Sequence, residues 1–170
     1  MEILNKQSKY KFLIFLCKNL QNMQLYSIIN LYICESWCPM TRKQAREETF
    51  ILIFEKEFND ESVETILEIN EQVRDIVADD YMKDTFCGVF ERLSEIDECI
   101  SLNAKGWSIK RISKVALAVL RLAIYEMKFV DSIPVSVSIN EAVELCKKYA
   151  TKDDSAFVNG ILATVSKADE

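Results

Sequence analysis

Three cations lie close together at Arg42, Lys43 and Arg46, in a chain whose formal net charge is −6. They fall in the first turns of a helix predicted to begin after Thr41, where the helix dipole disfavours positive charge by about 0.3–1 kcal/mol at an exposed site. Arg42 and Arg46 are spaced i, i+4 and therefore project from one face. This arrangement indicates a local site for an anion. Two alternatives stay open: Arg46 pairs with a nearby glutamate, or the three cations form a solvated face.

An aromatic side chain near another predicted helix start is a second candidate. Phe157 could stack on a nucleobase, because single-stranded nucleic acids are held by flat side chains as well as by cations. An aromatic at helical spacing with Val158, Ile161 and Leu162 is, however, more often part of a core. We expect the same of Trp107, which is predicted to be a large buried side chain rather than a ligand contact.

Acidic pairs precede two of the predicted helices, at Asp79–Asp80 and Asp153–Asp154. A carboxylate at a helix start accepts backbone N–H groups and suits the positive end of the helix dipole. These residues are therefore predicted to cap helices rather than to bind a metal or to act as acid and base.

The residue types that are missing exclude several reaction classes. The chain has no histidine, which removes Ser-His-Asp and Cys-His nucleophile pairs and metal sites ligated by histidine. Glycine occurs only at positions 88, 106 and 160, so neither a Walker loop nor a G-x-G-x-x-G motif can be written. The six cysteines include no two pairs at metal-binding spacing and are predicted to be free thiols. No catalytic residue, metal or cofactor is expected.

Composition and periodicity predict an all-α fold. With 49% hydrophobic and 28% charged residues the chain is globular, and three glycines and two prolines provide too few turns for a β-sandwich. From Thr41 onward the pattern predicts a compact bundle of six to seven helices. Capping boxes are predicted at Thr41 with Gln44 and at Ser138 with Glu141. The stretch Val115–Val130 is apolar almost all round and is predicted to be the central helix.

Apolar residues at helical spacing place the remaining predicted helices. One predicted helix begins at Ser62, and its buried face includes Val73, Ile76 and Val77. The next is one uninterrupted helix from Asp79 to about Asn103. A short helical stretch over 107–112 and a last helix after Ser155 complete the set.

The first forty residues differ in composition from the rest. Residues 1–40 carry a net charge of +2 and residues 41–170 carry −8. The basic start and the apolar run Phe12–Cys17 superficially resemble a secretory signal, but the run of six residues is shorter than the usual length of about 7–15. No stretch reaches the roughly 18 apolar residues of a membrane span. Without an export signal, the reducing cytoplasm is the expected location.

We therefore predict two regions, an extension over 1–40 and a helical domain over 41–170. Three interpretations of the extension stay open: a non-native segment upstream of a true start at Met40, an accessory helix, or a segment that lies on a membrane surface.

Short motifs in a fixed order resemble those of the NusB family of bacterial transcription antitermination factors, and the resemblance covers about residues 41–168. One difference is Ala116, where the family often has an acidic residue implicated in partner contact. The motifs are Arg42–Glu47, Trp107–Ile112, Leu120–Met127, Ile133–Pro134 followed by Val137–Leu145, and Phe157–Leu162.

The resemblance implies a fold of two packed helical subdomains and no catalysis. It also implies a heterodimer with NusE, a small ribosomal-subunit protein that doubles as an elongation factor. The pair would bind the single-stranded boxA element of nascent ribosomal RNA, in the RNA polymerase elongation complex with other Nus factors. Carried over to this sequence, Arg42, Lys43 and Arg46 would contact RNA phosphates, and Phe157 would contact a base or sugar.

The sequence leaves two rival functions. One is a helical protein–protein scaffold whose RNA contact is incidental. The other is enzymatic, since the same helical domain occurs attached to RNA cytosine methyltransferases, but the chain has no Gly-rich cofactor loop and this reading ranks last. A homodimer stays open, and no stable membrane association is expected.

Overall fold

The computed structural model describes residues 40–74, 79–104 and 106–168. This part of the chain contains seven α-helices and no strand, which confirms the all-α prediction. The predictions made for residues 1–39, and for Ile76 and Val77, lie outside the described residues. The helices are α1 (Arg42–Lys56), α2 (Val63–Arg74), α3 (Asp80–Glu91), α4 (Leu93–Asn103), α5 (Lys114–Phe129), α6 (Val135–Tyr149) and α7 (Lys152–Ala168), with a 3-10 turn at Ile109–Arg111.

The central helix is α5, as its apolar sequence predicts. Every residue from Ala116 to Ile124 is buried, and α5 packs against α1, α3, α4, α6 and α7. Helices α1 to α3 pack on one another, α7 packs on both α4 and α6, and both groups share α5. The fold is therefore two helical subdomains joined along one buried helix.

The start of α1 is fixed by the predicted capping box. The Gln44 amide donates to the Thr41 hydroxyl at 3.2 Å, and the Thr41 amide donates to the Gln44 side chain at 2.9 Å. Ala45, Phe50 and Ile53 then face the core. Because these apolar positions set the rotation of the helix, they also decide which of its first-turn cations point outward.

The prediction of one uninterrupted helix from Asp79 to Asn103 is wrong. Asp79 caps α3 as expected, accepting the Met82 amide at 2.8 Å. The chain then leaves helical geometry at Arg92, with φ −109° and ψ 20°, before α4 begins. The break allows α3 and α4 each to pack on α5. Periodicity could not show it, because the apolar spacing continues across it.

Two glycines serve local geometry. A Cβ on Gly88 would lie 2.1 Å from the Tyr125 hydroxyl oxygen, so the end of the Tyr125 side chain occupies the space that the Cβ of any other residue would take. Gly106 has a φ of 80° and turns the chain after α4, in a conformation that other residues rarely adopt.

The last two helices begin earlier than predicted. Helix α6 starts after Pro134, whose φ of −60° suits a helix start, and Ser138 lies inside the helix and is buried rather than capping it. Helix α7 starts at Lys152, behind a capping box in which the Asp154 amide donates to the Thr151 hydroxyl at 3.1 Å. The side chain of Asp154 accepts the Thr151 amide in return, so the capping role predicted for it is confirmed.

Two large apolar residues predicted to be buried are exposed. Val73 is 76% exposed, because α2 packs on α1 and α3 through a narrow stripe that includes Ile66 and does not extend to its C-terminal turn. Trp107 is 50% exposed. It lies on the irregular segment between Gly106 and the 3-10 turn, so no helix face carries it into the core.

Candidate nucleic-acid interface

The three cations at the start of α1 divide by burial. Arg42 and Lys43 are exposed, whereas Arg46, one turn further along, is only 4% exposed. The sequence places Arg42 and Arg46 on one face of the helix, but that face passes under α5 and α6 after its first turn. A single motif thus supplies surface charge and a buried ion pair.

Arg46 is held by two glutamates. Its Nε donates to Glu126 Oε1 on α5 at 2.8 Å, and a terminal nitrogen lies 3.6 Å from Glu141 Oε2 on α6. The alternative in which Arg46 pairs with a nearby glutamate is therefore confirmed. Tyr81 also donates its hydroxyl to Glu126 Oε1. Burial, together with the charge of Glu126, raises the pKa of Tyr81 far above its ordinary value, so this hydroxyl stays protonated and remains a donor.

Tyr81 also presents its ring to the arginines. The Arg42 guanidinium lies 4.4 Å from the ring centroid and that of Arg46 lies 5.9 Å from it, both within cation–π range. Within the part of the chain that the structure describes, neither Arg42 nor Lys43 has a carboxylate oxygen within 4.0 Å. Two positive charges without an ion-pair partner among the described residues therefore lie on the surface, and Tyr81 orients one of them, Arg42.

The end of α6 adjoins this surface. Lys148 and the Tyr149 hydroxyl each donate to Glu47 Oε1 at 2.5 Å, and these two hydrogen bonds lower the pKa of Glu47, with a smaller contribution from the charge of Lys43. No pattern in the sequence predicted these contacts. Lysine at a helix C-terminus is the ordinary arrangement, so it does not stand out as Arg42 and Lys43 do.

Phe157 lies on α7, where it is partly buried against the core. Its ring centroid is 5.7 Å from that of Trp107, at an interplanar angle of 58°. The Arg111 guanidinium lies 5.4 Å from the Trp107 ring centroid. The structure thus brings Phe157 together with Trp107 and Arg111. This group lies on α7 and on the segment around the 3-10 turn, whereas Arg42 and Lys43 lie on α1.

Across residues 40–74, 79–104 and 106–168, no helix combines the length and apolar character needed to cross a membrane. In the same ranges, no cluster of three or more histidine, cysteine, aspartate or glutamate residues is placed to bind a metal ion.

Comparison with known proteins places these features in a family. The sequence model of the NusB family matches residues 43–167. The transcription antitermination protein NusB of Agathobacter rectalis is 42% identical over 128 residues, covering 73% of this chain and 98% of that protein.

Two solved structures are also similar. The NusB structure from T. maritima superposes with a TM-score of 0.66 at 39% identity, covering 75% of this chain and 91% of that one. A chain from the crystal structure of the antitermination factors NusB and NusE in complex with dsRNA superposes with a TM-score of 0.68 at 28% identity, covering 75% and 96%. The chain described here belongs to the NusB family.

Proposed function

We propose that this protein is a non-catalytic transcription antitermination adaptor. It binds boxA-type single-stranded RNA of ribosomal RNA transcripts together with NusE, and through them joins the elongating RNA polymerase and its other Nus factors in the cytoplasm. Membership of the NusB family and the names of its relatives support this role. The observation that carries the RNA site is the pair of exposed cations, Arg42 and Lys43, which have no carboxylate partner among the described residues.

The site residues take different parts in this proposal. Arg42 and Lys43 contact RNA phosphates, and Phe157 contacts a base or sugar. A direct phosphate contact by Arg46 would require it to leave Glu126, so we assign Arg46 a positioning role. By fixing Glu126, to which Tyr81 donates, it holds the ring that orients Arg42.

Charge explains why a partner is needed. Residues 41–170 carry a net charge of −8, and a field of that sign repels a polyanion everywhere except near the local cations. Two exposed cations can neutralise few phosphates. We therefore expect weak binding by the protein alone and much tighter binding when NusE contributes further contacts.

We propose a single strand rather than a duplex as the specific ligand, although one similar structure contains dsRNA. Sequence-specific recognition of RNA uses unstacked bases, which flat side chains such as Phe157 can contact. The deep, narrow major groove of an A-form duplex cannot be read by side chains, and duplex RNA is recognised mostly by its shape.

The test is RNA affinity at several salt concentrations, with and without NusE, for boxA RNA, a scrambled strand and a boxA duplex. In the double variant Arg42→Gln/Lys43→Gln we expect weaker binding and a log–log salt slope smaller by about 1.4, at about 0.7 for each phosphate contact on a single strand. Lys167→Gln removes an exposed charge at the end of α7 and serves as the matched control.

Affinity and salt slope unchanged in the double variant would refute the site assignment. Equal affinity for boxA and the scrambled strand would favour the scaffold alternative. A pull-down from native extract that recovers the small ribosomal-subunit protein supports the adaptor role. N-terminal mass analysis of the native protein tests whether residues 1–40 are a non-native segment upstream of a true start at Met40, and a native chain that begins at residue 1 would refute that interpretation.

A further inference from the structure

A groove of about 330 Å³ lies between the end of α4, the segment before the 3-10 turn, and α7. Its walls include Asn103, Trp107, Phe157, Gly160 and Thr164. None of these residues is charged, yet the groove opens beside the cations of the 3-10 turn. The groove is thus built from other residues than Arg42 and Lys43, the exposed cations at the start of α1.

The indole of Trp107 is a half-exposed aromatic wall of the groove. Half of this side chain is exposed to solvent, although tryptophan is highly buried on average. Phe157 supports the indole, but the angle of 58° between the rings means that it does not lie flat on the indole and cover a whole face. The indole is therefore held in place with half of its surface exposed.

Positive charge stands beside this surface. The Arg111 guanidinium lies 5.4 Å from the indole centroid, and Lys110 next to it is exposed. Neither residue forms an ion pair with a carboxylate in the described ranges. A planar guanidinium beside an aromatic ring can stack on a base or donate hydrogen bonds to a phosphate.

Gly160 opens one wall of the groove down to the helix backbone. It lies in the interior of α7, where glycine is less favourable than alanine, and a Cβ built there would meet no atom within 4 Å. At Gly88, by contrast, a Cβ would displace the end of the Tyr125 side chain. Nothing in the described chain requires glycine at 160, and its absent side chain leaves room for a flat ligand against α7.

We propose that this groove is a nucleobase subsite. An unpaired base of the bound RNA stacks on Trp107 and lies along α7 at Gly160, while Arg111 contacts the adjoining phosphate or the base. The inference rests on the proposed function, because it takes single-stranded RNA as the ligand. It adds to that function a second contact point, built from Trp107, Arg111 and Gly160 and separate from the phosphate contacts of Arg42 and Lys43.

Fluorescence tests the stacking directly. The chain has two tryptophans, at positions 37 and 107, so in a Trp37→Phe background the tryptophan emission of the protein comes from Trp107 alone. Titration with boxA RNA in the presence of NusE, with the emission of NusE subtracted, should quench this signal. A series of RNAs with one abasic nucleotide each should contain a member that binds but no longer quenches.

Affinity tests the contribution of the groove. Trp107→Ala should weaken RNA binding about 5- to 150-fold, the range expected for loss of one stacked base, and Trp107→Phe should weaken it less. Gly160→Leu should block the groove and weaken binding while melting remains near that of the wild type, because the added side chain enters open space. Asn159→Leu, which adds a similar side chain at an exposed position outside the groove, is the matched control.

The outcomes separate the two proposals. If the wild type binds boxA RNA and Arg42→Gln/Lys43→Gln weakens binding, but Trp107→Ala and Gly160→Leu bind normally, the groove proposal is overturned and the proposed function stands. If Gly160→Leu weakens binding to NusE in the absence of RNA, the groove holds protein and the base subsite is again overturned. If the wild type with NusE does not bind boxA RNA, the proposed function itself fails.

Discussion

The two ends of α1 are each joined to α5 by a buried arginine, but they leave different surfaces. At the start, Arg46 of α1 meets Glu126 of α5. At the C-terminal end of α1 the two helices exchange roles, because α5 supplies the arginine. Glu57, the C-cap residue of α1, accepts a hydrogen bond from Arg121 of α5. Both contacts fix the position of α1 along the central helix, so the difference between the two ends lies in the charges around them.

The charges at the end of α1 balance. Arg121 donates to both oxygens of Asp97, at 2.8 and 2.9 Å, and Lys114 joins it on Glu57 at 2.6 Å. Two cations thus meet two carboxylates. At the start of α1, Arg46 already meets two carboxylates, those of Glu126 and Glu141. With Arg42 and Lys43 there are three cations against these two carboxylates, and neither Arg42 nor Lys43 forms an ion pair with a described residue. We infer that a binding surface for an anion forms where cations outnumber the carboxylates that pair with them. A cluster of arginines alone is not enough.

The largest effect on stability should come from Arg46→Met. The change leaves Glu126, which is 1% exposed, without its cation, and one of its oxygens already has no hydrogen-bond partner among the described residues. Removing one partner of a buried ion pair costs about 3–5 kcal/mol. Urea denaturation should show a loss of this size in the free energy of unfolding.

A second substitution separates charge from packing at this end. In Arg46→Met/Glu126→Gln the amide is neutral and its oxygen still accepts from Tyr81, so part of the lost stability should return. A double variant as unstable as Arg46→Met would show that the buried charge of Glu126 is not the cause, and the comparison of the two ends would lose its basis.

Arg121→Met should cost less, although Arg121 makes more hydrogen bonds than Arg46 does. Glu57 keeps Lys114, and the side chain of Asp97 is 25% exposed, so both carboxylates retain a cation or water. We expect a loss of about 1.5–3 kcal/mol, the value of hydrogen bonds to charged groups. RNA affinity, measured well below the melting temperature, should not change. A loss larger than that of Arg46→Met would contradict the ranking.

Acid should weaken the end of α1 through Glu57. Burial alone would raise the pKa of this carboxyl, but the hydrogen bond from Lys114 and the charge of Arg121 outweigh burial and lower the pKa. In the unfolded chain the pKa of a glutamate is about 4.3. A carboxyl whose pKa is lower in the folded protein stabilises the fold at pH values above about 4.3, and this stabilisation is lost as the pH falls to the lowered pKa.

The free energy of unfolding of Glu57→Gln should therefore vary less with pH below about pH 5 than that of the wild type. The exposed Glu61→Gln, which removes a carboxyl of the same type close by in sequence, should follow the wild-type curve. Parallel curves for Glu57→Gln and the wild type would assign the acid dependence to other carboxyls.

Capping residues in the sequence correctly predicted the helix starts that are fixed by hydrogen bonds between neighbouring residues. The capping roles of Thr41 and Asp79 follow from residues within three positions, and both are present. At α6 two signals competed, and Pro134 prevailed over Ser138 because the helix gains a further turn. The resemblance to a family supplied the function, which no spacing of residues in this chain could have specified.

Burial could not be predicted in the same way, because it depends on distant parts of the chain. The partner of Arg46 is 80 positions away, so no local pattern distinguishes it from Arg42. Trp107 was predicted to be buried because it is apolar, whereas its exposure depends on the turn at Gly106 and on Phe157 of α7. The buried Arg46 and the exposed Trp107 both lie at candidate binding surfaces. At such surfaces, local sequence preference and function are expected to conflict.

The smallest effect on stability should come from Arg42→Gln, although its effect on binding is large. Loss of the contact with Tyr81 costs about 0.5–1 kcal/mol, the value of an exposed cation–π pair. Removing a positive charge from the start of a helix stabilises the fold by about 0.3–1 kcal/mol, because that charge interacts unfavourably with the helix dipole. The two terms nearly cancel, so the free energy of unfolding should change by less than about 0.5 kcal/mol. The log–log salt slope of RNA binding should nevertheless fall by about 0.7. If Arg42→Gln instead destabilises the protein as much as Arg46→Met does, the two arginines share one structural role and the start of α1 is not a binding surface.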